Sequence, residues 1–242
     1  MSKIVNRTLD FFEMFASQKK PLSLTQMMKI LDIPMSSCFD VVQALEERGY
    51  IFKLSDRGNY YPTNRLFEIS SSISNFDPIF HKFDAALKSI CNEFKVSTWI
   101  GKVQDLDVIY LLVNNSDHPL SYTVKVGDKS RSLYATSSGK AVLGVLPESK
   151  RVELVSEINF SALTPNTILS KAKLLKDIKN SLTRGWYLNK EESVEDATAI
   201  SLSFKWNDVD FILTCAGGVK HMERILPKLL ESCKKSIYEF LE

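Results

Sequence analysis

A chain of 242 residues has room for one large domain or two ordinary ones. Hydrophobic residues make up 44% and charged residues 25%, the balance of a soluble globular protein, which excludes a disordered or fibrous chain. The net charge of +2 excludes strong bulk attraction to a polyanion, and residues 1–75 carry nine Lys and Arg against eight Asp and Glu, so any such binding there depends on where the cations lie. No apolar run approaches the ~18 residues that span a bilayer, so no membrane contact is expected. Met1–Arg7 places charge inside an amphipathic pattern and does not read as a signal peptide. The cysteines Cys38, Cys91, Cys215 and Cys233 are scattered, with no Cys-x-x-Cys spacing and no histidine nearby. They read as reduced packing residues of a cytoplasmic protein with no metal site and no cofactor.

Val5, Leu9, Phe12 and Ala16 recur at helical spacing with Phe15 beside them, a first helix with one core-facing stripe. Lys19-Lys20-Pro21 breaks it. Ser23 is placed to cap a short second helix containing Met27, Met28 and Leu31. Asp32-Ile33-Pro34 then makes a tight turn, because Pro34 disfavours helical geometry at Ile33. A third helix starts near Met35, with Phe39, Val42 and Leu45 as its buried face and Gly49 as its stop. Tyr50–Lys53 and Tyr60–Thr63 flank a Gly-containing tip, a two-stranded wing. Helix, turn, helix and hairpin in this order match a winged helix-turn-helix, whose second helix enters the DNA major groove. A generic three-helix bundle with a hairpin satisfies the same pattern. The third helix begins without a cation, and Asp40 repels phosphate, although a carboxylate can accept from cytosine N4. The candidate DNA contacts are Lys3, Arg7, Ser23, Thr25, Ser36, Ser37, Phe39, Asp40, Gln43, Lys53 and Arg57.

Residues 64–77 read as a helical linker, with Leu66, Ile69 and Ile73 at helical spacing and a break and restart at Asp77-Pro78. Ile79, Phe83, Leu87, Ile90 and Phe94 continue as an amphipathic helix. This gives a DNA-binding domain over residues 1–63, the linker, and a second domain over 78–242. In that domain Val96–Val103 and Val108–Asn114 form a hairpin, Leu120–Val126 a third strand, and Gly127–Arg131 a polar loop. Helices are expected over Ser138–Leu146, Ser149–Ser156, Ser170–Arg184 and Met222–Leu241, with strands over Ala197–Trp206 and Val209–Ala216. A mixed antiparallel sheet with helices on its faces is an α+β fold.

Gly127 with Leu133, Thr136 and Gly139-Lys140-Ala141, then Thr164-Pro165-Asn166-Thr167, then Arg184-Gly185-Trp186 with Glu191-Glu192, resemble the IclR family of bacterial transcription regulators in order and spacing, over nearly the whole chain. The resemblance implies a GAF-like effector-binding domain, dimerisation through the DNA-binding end and often a dimer of dimers. It departs from the family at the ligand pocket: Ala199-Ile200-Ser201-Leu202-Ser203 stands where a Cys-Ile-Ala-x-Pro pattern is usual, Asn189 or Lys190 replaces an Asp, and Thr214-Cys215-Ala216-Gly217 replaces Ser-x-Ser-Gly. Polar groups that would hold a small carboxylate are thus replaced, which favours a larger or more apolar, aromatic effector. The candidate effector residues are Trp99, Leu133, Ala135, Thr136, Ser137, Ser138, Gly139, Trp186, Asn189, Ala199, Ser201, Thr214 and Ala216.

Three other patterns carry chemistry on paper. Ser137-Ser138-Gly139-Lys140 is a Ser-x-x-Lys sequence, but the Ser-Asp-Asn and Lys-Thr-Gly elements of that enzyme class are absent. It is no P-loop either, since Ala141 stands where Ser or Thr is required. Glu191-Glu192 and Glu195-Asp196 read as solvated surface rather than an acid–base pair. The expectation is therefore a non-enzymatic, ligand-responsive regulator binding a double-stranded DNA operator and a small molecule, with no catalytic residues; the alternative is a sensor or scaffold with weakened DNA recognition.

Overall fold

The computed structural model describes residues 3–54, 58–75, 78–119, 121–130 and 132–242. The chain divides into two compact units, Met1–Asp77 and Pro78–Glu242. The wing tip with Arg57, the Asp77 cap, Leu120 and Arg131 lie outside the described residues, as does the side chain of Ile79.

In the first unit, α1 (Lys3–Gln18) buries Phe11, Met14 and Phe15. The stripe expected from periodicity is displaced: Val5 and Leu9 are 56% and 55% exposed, and Ala16 is exposed. Both sets have helical spacing on a helix that is apolar on two adjoining faces, so spacing alone does not choose between them. Phe12 lies between the faces, its ring 5.8 Å from that of Tyr50. After β1 (Leu22–Ser23) comes α2 (Leu24–Leu31), started by a reciprocal capping box between Ser23 and Gln26. Asp32 closes it in the left-handed region at φ 50°. In α3 (Met35–Glu47) the buried face is Cys38, Val42 and Leu45. Phe39, read as part of that face, is 49% exposed, because the i, i+4, i+7 set runs through Cys38. Gly49, at φ 72°, turns the chain into the wing. β2 (Ile51–Lys53) and β3 (Asn59–Pro62) pair antiparallel with Ile51 opposite Pro62, and β1 adds on the far side of β3. That third strand of the wing sheet has only two residues and no pattern to announce it. α4 (Arg65–Asn75) follows and leaves Leu66, Phe67 and Ile73 exposed.

The second unit holds α5 (Pro78–Phe94), β4 (Ser97–Gln104), β5 (Asp107–Asn114), α6 (Ser137–Val145), α7 (Glu148–Glu157), α8 (Lys171–Arg184), β6 (Tyr187–Lys190), β7 (Ala197–Trp206), β8 (Val209–Gly218) and α9 (Val219–Leu241). The strands form one antiparallel sheet in the order β5-β4-β8-β7-β6. Alternation along the strands divides the core. Ile100, Ile200, Leu202, Leu213 and Cys215 pack with Phe83, Leu87, Met222 and Leu229 of α5 and α9. Trp99, Tyr110, Tyr187, Ile212 and Ala216 pack with Val142, Leu174 and Ile178 on the side of α6 and α8. The result is a helix–sheet–helix sandwich, an α+β unit.

The strand expected over Leu120–Val126 is absent from residues 121–126. The Asn115 amide takes both backbone groups of Val124, donating to its carbonyl at 2.9 Å and accepting from its N–H at 3.1 Å. A side chain thereby replaces the ladder partner that a strand would need. Residues 127–130 instead close the outer edge of β5, through Gly127 N–H to Tyr110 O and Ser130 N–H to Val108 O. β6 was not anticipated; it is a four-residue edge strand ending in two polar residues.

Candidate functional site

In the first unit, α2, the Asp32–Pro34 turn and α3 form a helix-turn-helix with a wing. Ser36, Phe39, Asp40 and Gln43 are exposed on α3, Thr25 is exposed at the start of α2, and Lys53 is exposed on β2. Lys3 is exposed at the start of α1. Ser23 is committed elsewhere, since its hydroxyl caps α2 by accepting from Gln26 N–H. Gln43 is held by Glu47, to which its amide donates at 2.8 Å. Arg7, Ser37 and Asp40 line a cavity of about 510 Å³ between α1, α3 and the start of α4, shared with Ile4, Phe12 and Arg48. Asp40 therefore sits where the outward face of α3 meets this groove. Together with Glu46 and Glu47 it makes the exposed side of the helix acidic.

In the second unit, the start of α6 faces the sheet across a small cavity of about 30 Å³. Trp99, Tyr110 and Tyr122 form its aromatic wall. Thr136, Ser137 and Ser138 form the helix end, Asn189 and Ser193 a polar corner, and Ala199 and Ala216 the floor. Among the described residues none of the lining side chains is charged. Thr136 caps α6, its hydroxyl accepting from Gly139 N–H at 3.0 Å. The helix itself supplies no partner for the N–H groups of Ser137 and Ser138, and its dipole favours negative charge at this end. The indole N–H of Trp99, which is 3% exposed, has no hydrogen-bond partner. An unmet buried donor costs about 1–3 kcal/mol.

Ser201 and Thr214 stand one layer beneath. Ser201 Oγ donates to Ser137 Oγ at 2.9 Å and bonds Thr214 Oγ1 at 2.8 Å, a buried hydroxyl chain that holds the first turn of α6 to β7 and β8. Leu133 and Ala135 pack in the core beside the cavity without lining it. Gly139 answers a packing demand: a Cβ there would stand 2.0 Å from Ser132 O. Trp186 is a correction to the sequence reading. It packs with the α5/α9 core, on the other face of the sheet, under the Arg184 guanidinium 4.1 Å from its ring. As the first residue after the αL cap at Gly185, it is turned away from α6.

Sequence reasoning missed Tyr110, Tyr122, Ser193, Ala197 and Thr198 as lining residues. Alternation in β5 places Tyr110 on the face of Val108 and would have found it. Tyr122 reaches the cavity from the irregular loop, which no periodicity encodes.

The acidic loop after β6 is not solvated throughout. Glu192 is buried and accepts from Lys140 Nζ at 2.7 Å, while Lys140 also donates to Leu188 O at 2.9 Å and pairs with Asp177 at 2.8 Å. Lys140 Nζ is thus committed to Leu188 O, Glu192 and Asp177, while the Ser137 hydroxyl accepts from Ser201. The Ser-x-x-Lys pattern is thus structural. Burial pushes the Glu192 carboxyl above its usual range, and Lys140 pulls it back.

A winged helix-turn-helix followed by an α/β unit with an aromatic-walled cavity defines a class: transcription regulators with a DNA-binding and a ligand-binding domain, not enzymes. Residues 5–54 match the IclR helix-turn-helix domain, and residues 71–212 match the bacterial transcriptional regulator IclR C-terminal domain. The chain belongs to the IclR family. Among curated proteins it is similar to HTH-type transcriptional regulator XynR of Escherichia coli K12, 21% identical over 84% of this chain and 80% of that one. Among solved structures, the Thermotoga maritima IclR superposes with a TM-score of 0.76 at 17% identity, covering 98% of each chain. An IclR homolog of Microbacterium hydrocarbonoxydans, complexed with 4-hydroxybenzoate, superposes with a TM-score of 0.73 at 17% identity, covering 99% of each.

Proposed function

We infer that the effector of this regulator is a small aromatic molecule, bound where α6 begins, and that its binding shifts the population of DNA-competent forms. The observation carrying this reading is a cavity lined by three aromatic side chains, with no charged side chain among the described lining residues and with an unmet indole donor on Trp99. That a related structure holds 4-hydroxybenzoate supports the size and class of the ligand. The division of labour we propose is DNA contact within residues 1–63, transmission through α4 and effector binding within 78–242, in a cytoplasmic protein. Lys3, Arg7 and Lys53 would position the wing and helices on phosphates, and Ser36, Phe39 and Gln43 would meet base edges. The exposed Ile4, Val5 and Leu9 of α1, with Phe67 and Ile73 of α4, support a homodimer through this unit, or a dimer of dimers. Two half-sites would then lie about 34 Å apart or a multiple of that.

The test is a mobility shift on the protein's own upstream region at fixed salt, with and without 4-hydroxybenzoate. Specific retention that the ligand changes is the expected result. Retention independent of both sequence and ligand would sink the reading. A second reading, a sensor with weakened sequence recognition, is favoured by the acids on α3. Under it Asp40→Asn tightens binding to operator and random duplex alike; under the first, it tightens random duplex more.

A further inference from the structure

The cavity beside α6 is the inner of two compartments. A second space of about 190 Å³ lies against it and shares Tyr110, Tyr122 and Thr136 as common walls. Its remaining lining is Thr123, Val124, Asp128 and Lys129. The sizes divide the roles. About 30 Å³ takes one polar head group in place of roughly two waters, whereas the outer space takes a six-membered ring. The chemistry divides in the same way. The inner compartment has donors at its margin: the α6 amides, and the indole N–H of the lining residue Trp99, which is buried, unpartnered and therefore costly to leave unmet. The outer compartment offers an acceptor. Asp128 Oδ2 is oriented by Lys125 N–H at 2.8 Å, and the neighbouring cation, Lys129, is paired with Asp107 at 3.2 Å.

We propose that the effector spans both compartments: a compact acceptor head meets the Trp99 N–H inside, and a ring lies outside Tyr122 with a hydroxyl or amino group donating to the Asp128 carboxylate. The inference rests on the aromatic-effector reading above. It adds that specificity is set by Asp128, a residue on the loop after the irregular segment, and that ring substituents are chosen as donors.

The test compares 4-hydroxybenzoate with 4-methylbenzoate, which keeps the shape and loses the donor, by calorimetry on the full-length protein. A hydrogen bond to a charged partner predicts that the hydroxyl compound binds about 10- to 100-fold tighter. In Asp128→Ala, an exposed position whose replacement spares the core, the two should bind alike. Trp99→Phe should weaken both to the same degree, because the head contact is common to them. Equal binding by the wild type, or a preference that survives Asp128→Ala, would overturn the proposal while leaving an aromatic effector in place. Binding of neither compound would overturn the effector reading itself, and this inference with it.

Discussion

Lys140 is buried, and its Nζ donates to Leu188 O and Glu192 and stands 2.8 Å from Asp177. The arrangement ties the first turns of α6 to α8 and to the loop after β6. Within that loop, Asn189 Oδ1 accepts from Glu192 N–H at 2.8 Å, and its amide donates to Ser193 Oγ at 2.8 Å. Two cavity-lining side chains are therefore placed by a charge cluster that does not touch the cavity. Lys140→Met would leave the buried Glu192 carboxylate without its ion pair, at a cost of about 3–5 kcal/mol. The pH dependence has a definite sign. A carboxyl whose folded value is raised favours the fold while protonated; that contribution is full below the ordinary value of 4.5 and is lost as pH rises through the folded value. Without Lys140 the raising by burial loses its main opposition, so the deficit should be larger at pH 8 than at pH 5. Urea unfolding at both pH values reads this, and an equal deficit at each would show that Glu192 is not the group responsible. Sequence alone put Lys140 beside a would-be nucleophile and Glu192 on the surface, because the two charges that pair lie far apart along the chain.

Element ends were legible because their signals are local. Ser23, read as a cap, caps α2, and Gly49, read as a stop, follows α3 in the left-handed region; Thr136 and Ser170 cap α6 and α8 without having been read as caps. Element faces were less so, since α1 offers two apolar stripes and only tertiary packing selects Phe11 over Leu9. The irregular segment was misread because Leu120, Tyr122, Val124 and Val126 alternate like a strand. Alternation carries no information about whether a ladder partner exists. Asn115, exposed and 9 residues away from Val124, supplies the bonds instead. Asn115→Ala should cost roughly 1–3 kcal/mol for the two bonds, concentrated in this segment. Hydrogen exchange at Val124 should speed up while exchange in β4 and β8 is unchanged. Tyr122 would lose its anchor, and 4-hydroxybenzoate affinity should fall about tenfold, near 1.4 kcal/mol. Uniform loss of protection across the sheet would mean that Asn115 supports the whole unit and not the cavity wall. The cavity was readable where it is built from a helix start, Thr136 to Ser138. It was unreadable where strand edge and loop converge, at Tyr110 and Tyr122.

At the scale of the molecule, two compact units with separate cores share one chain. A regulator built this way works only if the free energy of one binding event depends on the other. That dependence is reciprocal: whatever factor the effector applies to operator affinity, the operator must apply to effector affinity. For a coupling of 1–3 kcal/mol the factor is about 5–150. Titrating 4-hydroxybenzoate into the protein with and without a saturating operator duplex should give two affinities whose ratio equals that of operator binding with and without ligand. Both titrations must be made at one salt concentration, because phosphate contacts make the DNA arm steeply salt-dependent. Matching ratios different from one would establish a two-state regulator, and their sense would separate release from recruitment. Ratios that disagree would require a further linked step, of which a change of oligomeric state is the natural candidate. The apolar faces of α1 and α4 make that step available, and repeating the titrations across protein concentration would expose it. Ratios of one would uncouple the units, leaving the acidic face of α3 as the feature that matters and a sensor without a DNA output as the better description.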